Sequence, residues 1–136
     1  MTESKKIKVT SAKLNLRVRV SLAEEIAFGP GKAELLEAII ATGSISAAGK
    51  NMQMSYRRAW LLVDSMNRCF HTALVETAKG GKNGGGAQVT AYGEEILRRY
   101  REMEVAANAA VELHFKSFAP LLRREPLPPT STTTTE

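Results

Sequence analysis

The sequence predicts a mainly α-helical fold with a small β component, arranged as a winged helix-turn-helix. Between residues 30 and 70, apolar side chains recur at helical spacing in three successive segments. A glycine-rich segment, 80–86, then separates two short β-prone runs, which is typical of a hairpin. A last helical stretch covers 91–118. The predicted order is an N-terminal strand, three helices, a two-stranded wing and a long C-terminal helix.

The first predicted element is a strand. Residues 1–11 are polar and predict a flexible N-terminus. Over 12–20 apolar and polar residues alternate, with Leu14, Leu16 and Val18 on one side, which predicts a half-buried strand. Because a single strand is not stable alone, this strand must pair with a later segment or with a partner chain.

Three helices follow, each with a start or stop signal. Pro30 precedes an apolar-periodic run that Gly43 ends. Ser44 is a good N-cap for a short second helix, and Ser55 for a third helix that extends to about Phe70. On the third helix the apolar spacing predicts a buried face formed by Tyr56, Ala59, Trp60, Val63 and Asn67, with Met66 beside it.

A hairpin and a long helix complete the fold. Residues 74–77 and 88–90 predict the two strands of the wing, and Thr90 is placed to cap a helix over 91–118. That helix would be roughly 40 Å long, too long to pack only on its own domain. The tail, 119–136, is rich in proline and threonine and is expected to be disordered. The winged domain therefore covers 12–90.

Composition limits the classes of function. The 136 residues carry a formal net charge of +5, which favours polyanionic partners. The single cysteine, the lack of a signal peptide and the lack of any apolar run of roughly 20 residues predict a cytoplasmic protein. Cys69, His71 and His114 do not complete a zinc site, and no nucleotide-binding loop or catalytic arrangement is present. We therefore predict a chain that is not an enzyme and has no metal or cofactor.

The segment between 39 and 70 carries the functional prediction. A helix-turn-helix needs small residues where its two helices approach each other, and Ala47, Ala48 and Gly49 supply them. The start of the second helix of such a motif contacts base edges in the major groove of DNA. Arg57 and Arg58 lie there and diverge by about 100°, so one could take a guanine edge and the other a phosphate.

The local charge agrees with this placement. Between 44 and 88, six basic and two acidic residues give an excess of +4. Both the third helix and the wing contribute basic residues, and these are the two elements that a winged helix presents to DNA. The predicted DNA-binding residues are Ser44, Lys50, Ser55, Tyr56, Arg57, Arg58, Lys79, Lys82 and Asn83.

Several motifs resemble a known family. The segments GSISAAG over 43–49, SYRRAW over 55–60, MN over 66–67, GGKNGGG over 80–86 and TAYG over 90–93 are similar to the N-terminal DNA-binding domain of ModE-type molybdate-responsive regulators. The resemblance runs from about Lys13 to Phe118. A weaker similarity to LysR-type regulators covers Gly43 to Leu97.

The resemblance implies a transcriptional regulator that binds a palindromic operator as a homodimer, built by the long helix and the first strand. An alanine-rich run with apolar neighbours on that helix suits close helix packing. The predicted dimerisation residues are Leu97, Tyr100, Met103, Ala106, Ala107, Ala110, Val111 and Leu113. ModE-type regulators also carry molybdate-binding domains, whereas this sequence ends in the tail. We therefore expect a stand-alone form that is linked to molybdenum metabolism without binding molybdate itself.

Two other functions stay open at this point. Leu61 and Leu62 lie one helical turn after the two arginines, where they could touch thymine methyl groups or pack on a partner protein. The second case corresponds to a protein-interaction module that reuses the winged fold. The other alternative is non-specific, nucleoid-type binding of DNA.

Overall fold

A computed structural model describes residues 11–78 and 86–130. Its order of elements is β1 (Val20–Leu22), β2 (Glu25–Phe28), α1 (Pro30–Thr42), α2 (Ile45–Asn51), α3 (Tyr56–Cys69), β3 (Val75–Ala78), β4 (Gly86–Val89) and α4 (Ala91–Phe118), followed by a 3₁₀ turn at Ala119–Leu121. Three helices followed by a two-stranded wing and a long helix form a winged helix-turn-helix, as predicted. No helix in the described ranges has the length and apolar character needed to cross a lipid bilayer.

The chain divides into two compact units. One comprises Arg17–Ala106 and contains every strand and the first three helices. The described part of the other comprises 11–16 and 107–130. The boundary therefore falls inside α4. The predicted division into 1–11, 12–90, 91–118 and 119–136 follows the expected roles of these segments, and it stays a prediction.

The predicted strand over 12–20 is wrong in its position. Residues 11–19 form no strand, and β1 begins at Val20 and pairs antiparallel with β2, with Ser21 opposite Ile26. Val18 is apolar for a different reason: it is half-buried against the core although it lies in no strand. β2 escaped prediction because its last residues, Ala27 and Phe28, are both buried, so the strand shows no alternation.

The helix boundaries follow from their caps. Gly43 ends α1 with a left-handed φ of 72°, a conformation that glycine adopts without strain. The Ser44 hydroxyl accepts a hydrogen bond from the Ala47 amide at 3.0 Å and so begins α2. Likewise, the Thr90 hydroxyl accepts one from the Gly93 amide at 2.9 Å at the start of α4. These three predictions of element ends are confirmed.

One hydrophobic core lies between the helices and the wing. Its largest fully buried side chains are Tyr100, Phe28, Leu35, Leu36, Ile39, Met66 and Leu74. The wing joins this core through β3 and β4, which pair from Val75 opposite Val89 to Ala78 opposite Gly86. The Ala87 amide also donates to the Gly43 carbonyl at 2.9 Å, which fixes β4 to the end of α1.

Candidate nucleic-acid interface

The turn between α2 and α3 brings the two helices into close contact. A Cβ atom added at Gly49 would lie 3.1 Å from the Cβ of Ala59, so only the smallest side chain fits. Ala48 and Ala59 are fully buried at the same crossing. The turn closes through a hydrogen bond from the Met54 amide to the Gly49 carbonyl at 2.9 Å. The prediction that small residues allow this approach is confirmed.

The beginning of α3 is exposed and cationic. The Ser55 hydroxyl accepts a hydrogen bond from the Arg58 amide at 3.0 Å, which starts the helix. Tyr56, Arg57 and Arg58 are all exposed, and Lys50 of α2 is exposed as well. The residues of α3 that pack into the core are Ala59, Val63 and Met66. The first turn of α3 therefore presents its arginines to solvent.

Four arginines elsewhere in the fold, Arg68, Arg98, Arg99 and Arg101, have acidic partners. Arg68, at the other end of α3, pairs with Glu25 at 2.7 Å and with Asp64 at 3.0 Å. The hydrogen bonds that Arg68 donates to Glu25 and Asp64 raise the pKa of Arg68, and the bonds that Glu25 accepts from Arg68 and Ser65 lower the pKa of Glu25. On α4, each of the three arginines Arg98, Arg99 and Arg101 bonds at least one glutamate.

The cations at the turn have no such partner. Within 11–78 and 86–130, no ion pair involves Lys50, Arg57 or Arg58. No acidic residue lies in the first turn of α3 either. We name the exposed residues Lys50, Ser55, Tyr56, Arg57 and Arg58 the cationic edge. Its charges are available to an anion from outside the chain.

Five of the nine predicted DNA-binding residues lie at or next to the turn between α2 and α3. Ser44 is half-buried, and its hydroxyl is engaged as the cap of α2. Lys79, Lys82 and Asn83 lie outside the described residues. Among the described residues, the cationic edge is therefore the candidate surface for contact with DNA.

The predicted buried face of α3 needs two corrections. Tyr56 is 56% exposed and Trp60 is 41% exposed, so neither lies in the core. Apolar residues occur around much of the circumference of this helix, so more than one set of them fits the spacing of a buried helical face. The side of α3 that contains Ala59 is the buried one, because only a small side chain fits against Gly49.

Asn67 is the polar member of the predicted face, and it holds the wing. Its side-chain oxygen accepts hydrogen bonds from the Leu74 amide at 2.8 Å and the Val75 amide at 3.2 Å. Its side-chain nitrogen donates to the Val75 carbonyl at 3.0 Å. One amide side chain therefore ties the start of β3 to α3.

A polar network that sequence reasoning missed orients the back of α3. The buried Lys32 ammonium donates to the Ile26 carbonyl and, at 2.9 Å, to the Ser65 hydroxyl. Ser65 in turn donates to Glu25 at 3.0 Å, and Glu25 pairs with Arg68. Burial lowers the pKa of Lys32. No local signal marks these residues, because the network joins positions far apart in the sequence.

The predicted dimerisation residues fall into two groups. Tyr100 is buried in the core of one chain, where its hydroxyl donates to the Val18 carbonyl at 2.7 Å and its ring packs 5.0 Å from that of Phe28. It is therefore left out of any dimer face. Most of the others are exposed and the rest half-buried: Leu97, Met103, Ala106, Ala107, Ala110, Val111 and Leu113.

A shallow apolar groove lies between α1 and the first part of α4. Ile40, Leu97 and Val105 line it, together with charged side chains at its margins. Ile40 and Val105 are exposed, and Val105 is 70% exposed. An apolar strip of this kind on a long helix is the type of surface that a second helix covers.

Comparison with known proteins places these observations in a family context. The chain is 38% identical over 96 residues to the molybdenum transport protein ModE of Azotobacter vinelandii, covering 69% of this chain and 36% of that protein. It is 38% identical over 81 residues to the DNA-binding transcriptional dual regulator ModE of Escherichia coli K12, covering 60% and 31%. It is 40% identical over 98 residues to the molybdenum-pterin-binding protein MopB of Rhodobacter capsulatus, covering 72% and 35%.

The chain spans about a third of the length of these curated relatives. The predicted resemblance to ModE-type regulators is confirmed over that part. No protein-family model matches the chain.

Solved structures with a similar arrangement include the DNA complex of the CbnR DNA-binding domain, with a TM-score of 0.49, 18% identity and coverage of 64% of this chain and 95% of that one. The LTTR LysG of Corynebacterium glutamicum matches with a TM-score of 0.47 and 20% identity over 68% of this chain and 30% of that one.

Proposed function

We propose that the chain is a sequence-specific, DNA-binding transcriptional regulator, and not an enzyme, that acts as a homodimer on a palindromic operator. The observation that carries the proposal is the cationic edge. Its arginines are exposed, lack ion pairs within the described ranges and lie at the start of the second helix of a helix-turn-helix. That position is the one from which such motifs contact base edges in the major groove.

The relatives support this function and its metabolic context. The relative from Escherichia coli is named as a DNA-binding transcriptional regulator, and two others are named for molybdenum transport or molybdenum-pterin binding. We therefore propose that the genes controlled by this chain belong to molybdenum metabolism. Because the DNA of those bacteria lies in the cytoplasm, we place the chain there too.

The homodimer is supported by the exposed apolar residues of α4 and by the groove that Ile40, Leu97 and Val105 line. Sedimentation equilibrium tests it. We expect the wild-type chain to sediment as a dimer, and Val105→Asp to shift it toward a monomer, because the change places a carboxylate in an apolar contact. A wild-type chain that is monomeric at all concentrations would overturn this part of the proposal.

A salt titration of DNA binding tests the main proposal. The duplex is the one that the wild-type chain selects from a random pool, and the affinity is measured between low and physiological salt. Arg57→Ala should either lower the slope of log K against log[salt] by about one, for a lost phosphate contact, or relax the base preference at one position. Arg99→Ala is the matched control, since it removes the same charge from an exposed arginine that is paired with Glu95.

Two results would refute the proposal. One is equal binding by the wild type, Arg57→Ala and Arg58→Ala at every salt concentration. The other is equal affinity for the selected duplex and for random DNA, which would indicate nucleoid-type binding instead, since specific regulators exceed their non-specific affinity by about a thousandfold or more. Lys82→Ala examines the predicted contribution of the wing in the same assay.

A further inference from the structure

The outward face of α3 has an apolar residue at its centre. Leu61 is 52% exposed. A helix turns roughly 100° per residue, so Leu61 lies roughly 40° from Arg57 and roughly 60° from Arg58, between the two. The residues of α3 that pack into the core lie on the opposite side: Ala59, Val63 and Met66. Leu61 is therefore directed outward, in the same sector as the two unpaired arginines.

The charges around Leu61 decide what kind of molecule covers it. Arg57 and Arg58 have no ion pair within the described ranges, and the one acidic residue of α3, Asp64, is paired with Arg68 at 3.0 Å. A surface of this sign attracts a polyanion rather than an apolar protein surface. When a DNA duplex lies against it, the side chain at its centre loses water. In the major groove, the apolar group that can meet such a side chain is the C5 methyl of thymine.

We infer that Leu61 is a specificity-determining residue that contacts the methyl group of a thymine in the major groove. The inference rests on the proposed function. Leu61 follows Arg57 by four residues, or roughly 6 Å along the helix axis. Base pairs are stacked about 3.4 Å apart. The thymine therefore lies within about two base pairs of the base pair nearest Arg57.

Replacement of single thymines by deoxyuridine tests the inference, because deoxyuridine lacks only the C5 methyl group. The probe is the duplex selected by the wild-type chain, with each thymine replaced in turn. Dissociation constants are measured by fluorescence anisotropy for the wild type, Leu61→Ala and Leu22→Ala. Leu22 is the matched control, a leucine that is also 52% exposed but lies on β1 and not on α3.

We expect the methyl group of one thymine per half-site to contribute to the binding affinity. Its replacement should weaken binding by the wild type about fourfold, the value of one buried methyl group. Leu22→Ala should lose the same affinity on this replacement. Leu61→Ala should bind the selected duplex and the deoxyuridine-containing duplex with equal affinity. Unchanged circular dichroism of Leu61→Ala shows that the fold is retained.

The outcomes separate this inference from the proposed function. If the wild type binds its duplex specifically but no thymine replacement weakens binding, the inference is wrong and the proposed function stands. The same holds if a replacement weakens Leu61→Ala as much as the wild type. If the wild type selects no duplex, or if Leu61→Ala loses a protein partner while DNA binding is absent, both are wrong.

Discussion

Gly93 lies where the first turn of α4 crosses the wing, and its replacement by alanine should destabilise the fold. A Cβ atom at this position would overlap the Leu74 carbonyl oxygen and would lie 2.9 Å from a methyl of Val89. The Leu74 carbonyl has little freedom to move, because it accepts a hydrogen bond from the Thr90 amide at 2.9 Å. Overpacking of this kind costs about 1–3 kcal/mol.

The expected loss is the difference of two effects. Alanine in place of a helical glycine stabilises by about 0.5–1 kcal/mol. The overlap outweighs this gain, so Gly93→Ala should lower the free energy of unfolding by roughly 1–2 kcal/mol. Gly31→Ala is the control, since Gly31 also lies in the first turn of a helix but has nothing within 4 Å of an added Cβ. It should raise stability by up to about 1 kcal/mol.

Urea unfolding followed by circular dichroism, at one protein concentration for all variants, measures both changes. The midpoints should move in opposite directions at an unchanged slope. If Gly93→Ala raised the midpoint as Gly31→Ala does, the close packing of α4 on the wing would be refuted.

Two further predictions concern the contacts that hold α3. Asn67→Ala leaves backbone groups of Leu74 and Val75 without their hydrogen-bond partners. It should lower the free energy of unfolding, measured by urea titration, by about 2 kcal/mol. A loss of less than a few tenths of a kcal/mol would contradict the assigned hydrogen bonds. Because the pKa of Glu25 is held below its ordinary value of about 4.5 in the folded chain, its stabilising effect is complete above that pH and disappears as the pH falls through the folded-state pKa. The thermal midpoint of Glu25→Gln should therefore depend less on pH in the acid range than that of the wild type, and equal dependence would refute the role of the Arg68 pair.

The helical frame was predictable because its signals are local. Gly43, Ser44, Ser55 and Thr90 each act within four residues of their own position, through a left-handed backbone or a hydroxyl that caps an amide. The bounds of α4, Ala91–Phe118, agree with the predicted ones. Because these interactions join residues that are close in the sequence, the ends of the helices can be predicted from one sequence alone.

The errors arose where burial depends on distant parts of the chain. The helical spacing of α3 places Trp60 on the predicted buried face, yet the close approach at Gly49 turns the side of α3 that contains Ala59 inward. Tyr100 was expected on a dimer face because it lies on a long helix, yet it fills the space beside Phe28. β2 lacks alternation because it is buried at its end. Spacing alone determines which residues share a face, but not what that face contacts.

Within 44–88, the ion pairs of the fold separate the arginines of the candidate site from Arg68, which a count of charges cannot do. The excess of +4 between 44 and 88 includes Arg68, which the structure pairs with Glu25 from outside that segment. Among the described residues, Arg57 and Arg58 have no ion-pair partner, and they lie at the N-terminal end of α3, where the helix dipole already carries positive charge. Cations at that end are unfavourable by about 0.3–1 kcal/mol each in the isolated chain, and they become favourable only when an anion lies against them.

This placement gives opposite effects on stability and on binding. Arg57→Gln should raise the free energy of unfolding by a few tenths of a kcal/mol, because it relieves the interaction with the helix dipole. The same change should weaken binding to the selected duplex, because it removes a cation from the surface that the duplex covers. Urea titration and fluorescence anisotropy on one preparation measure both effects. A residue retained for the fold would instead lose stability on replacement, and that result would argue against a role of the cationic edge in binding DNA.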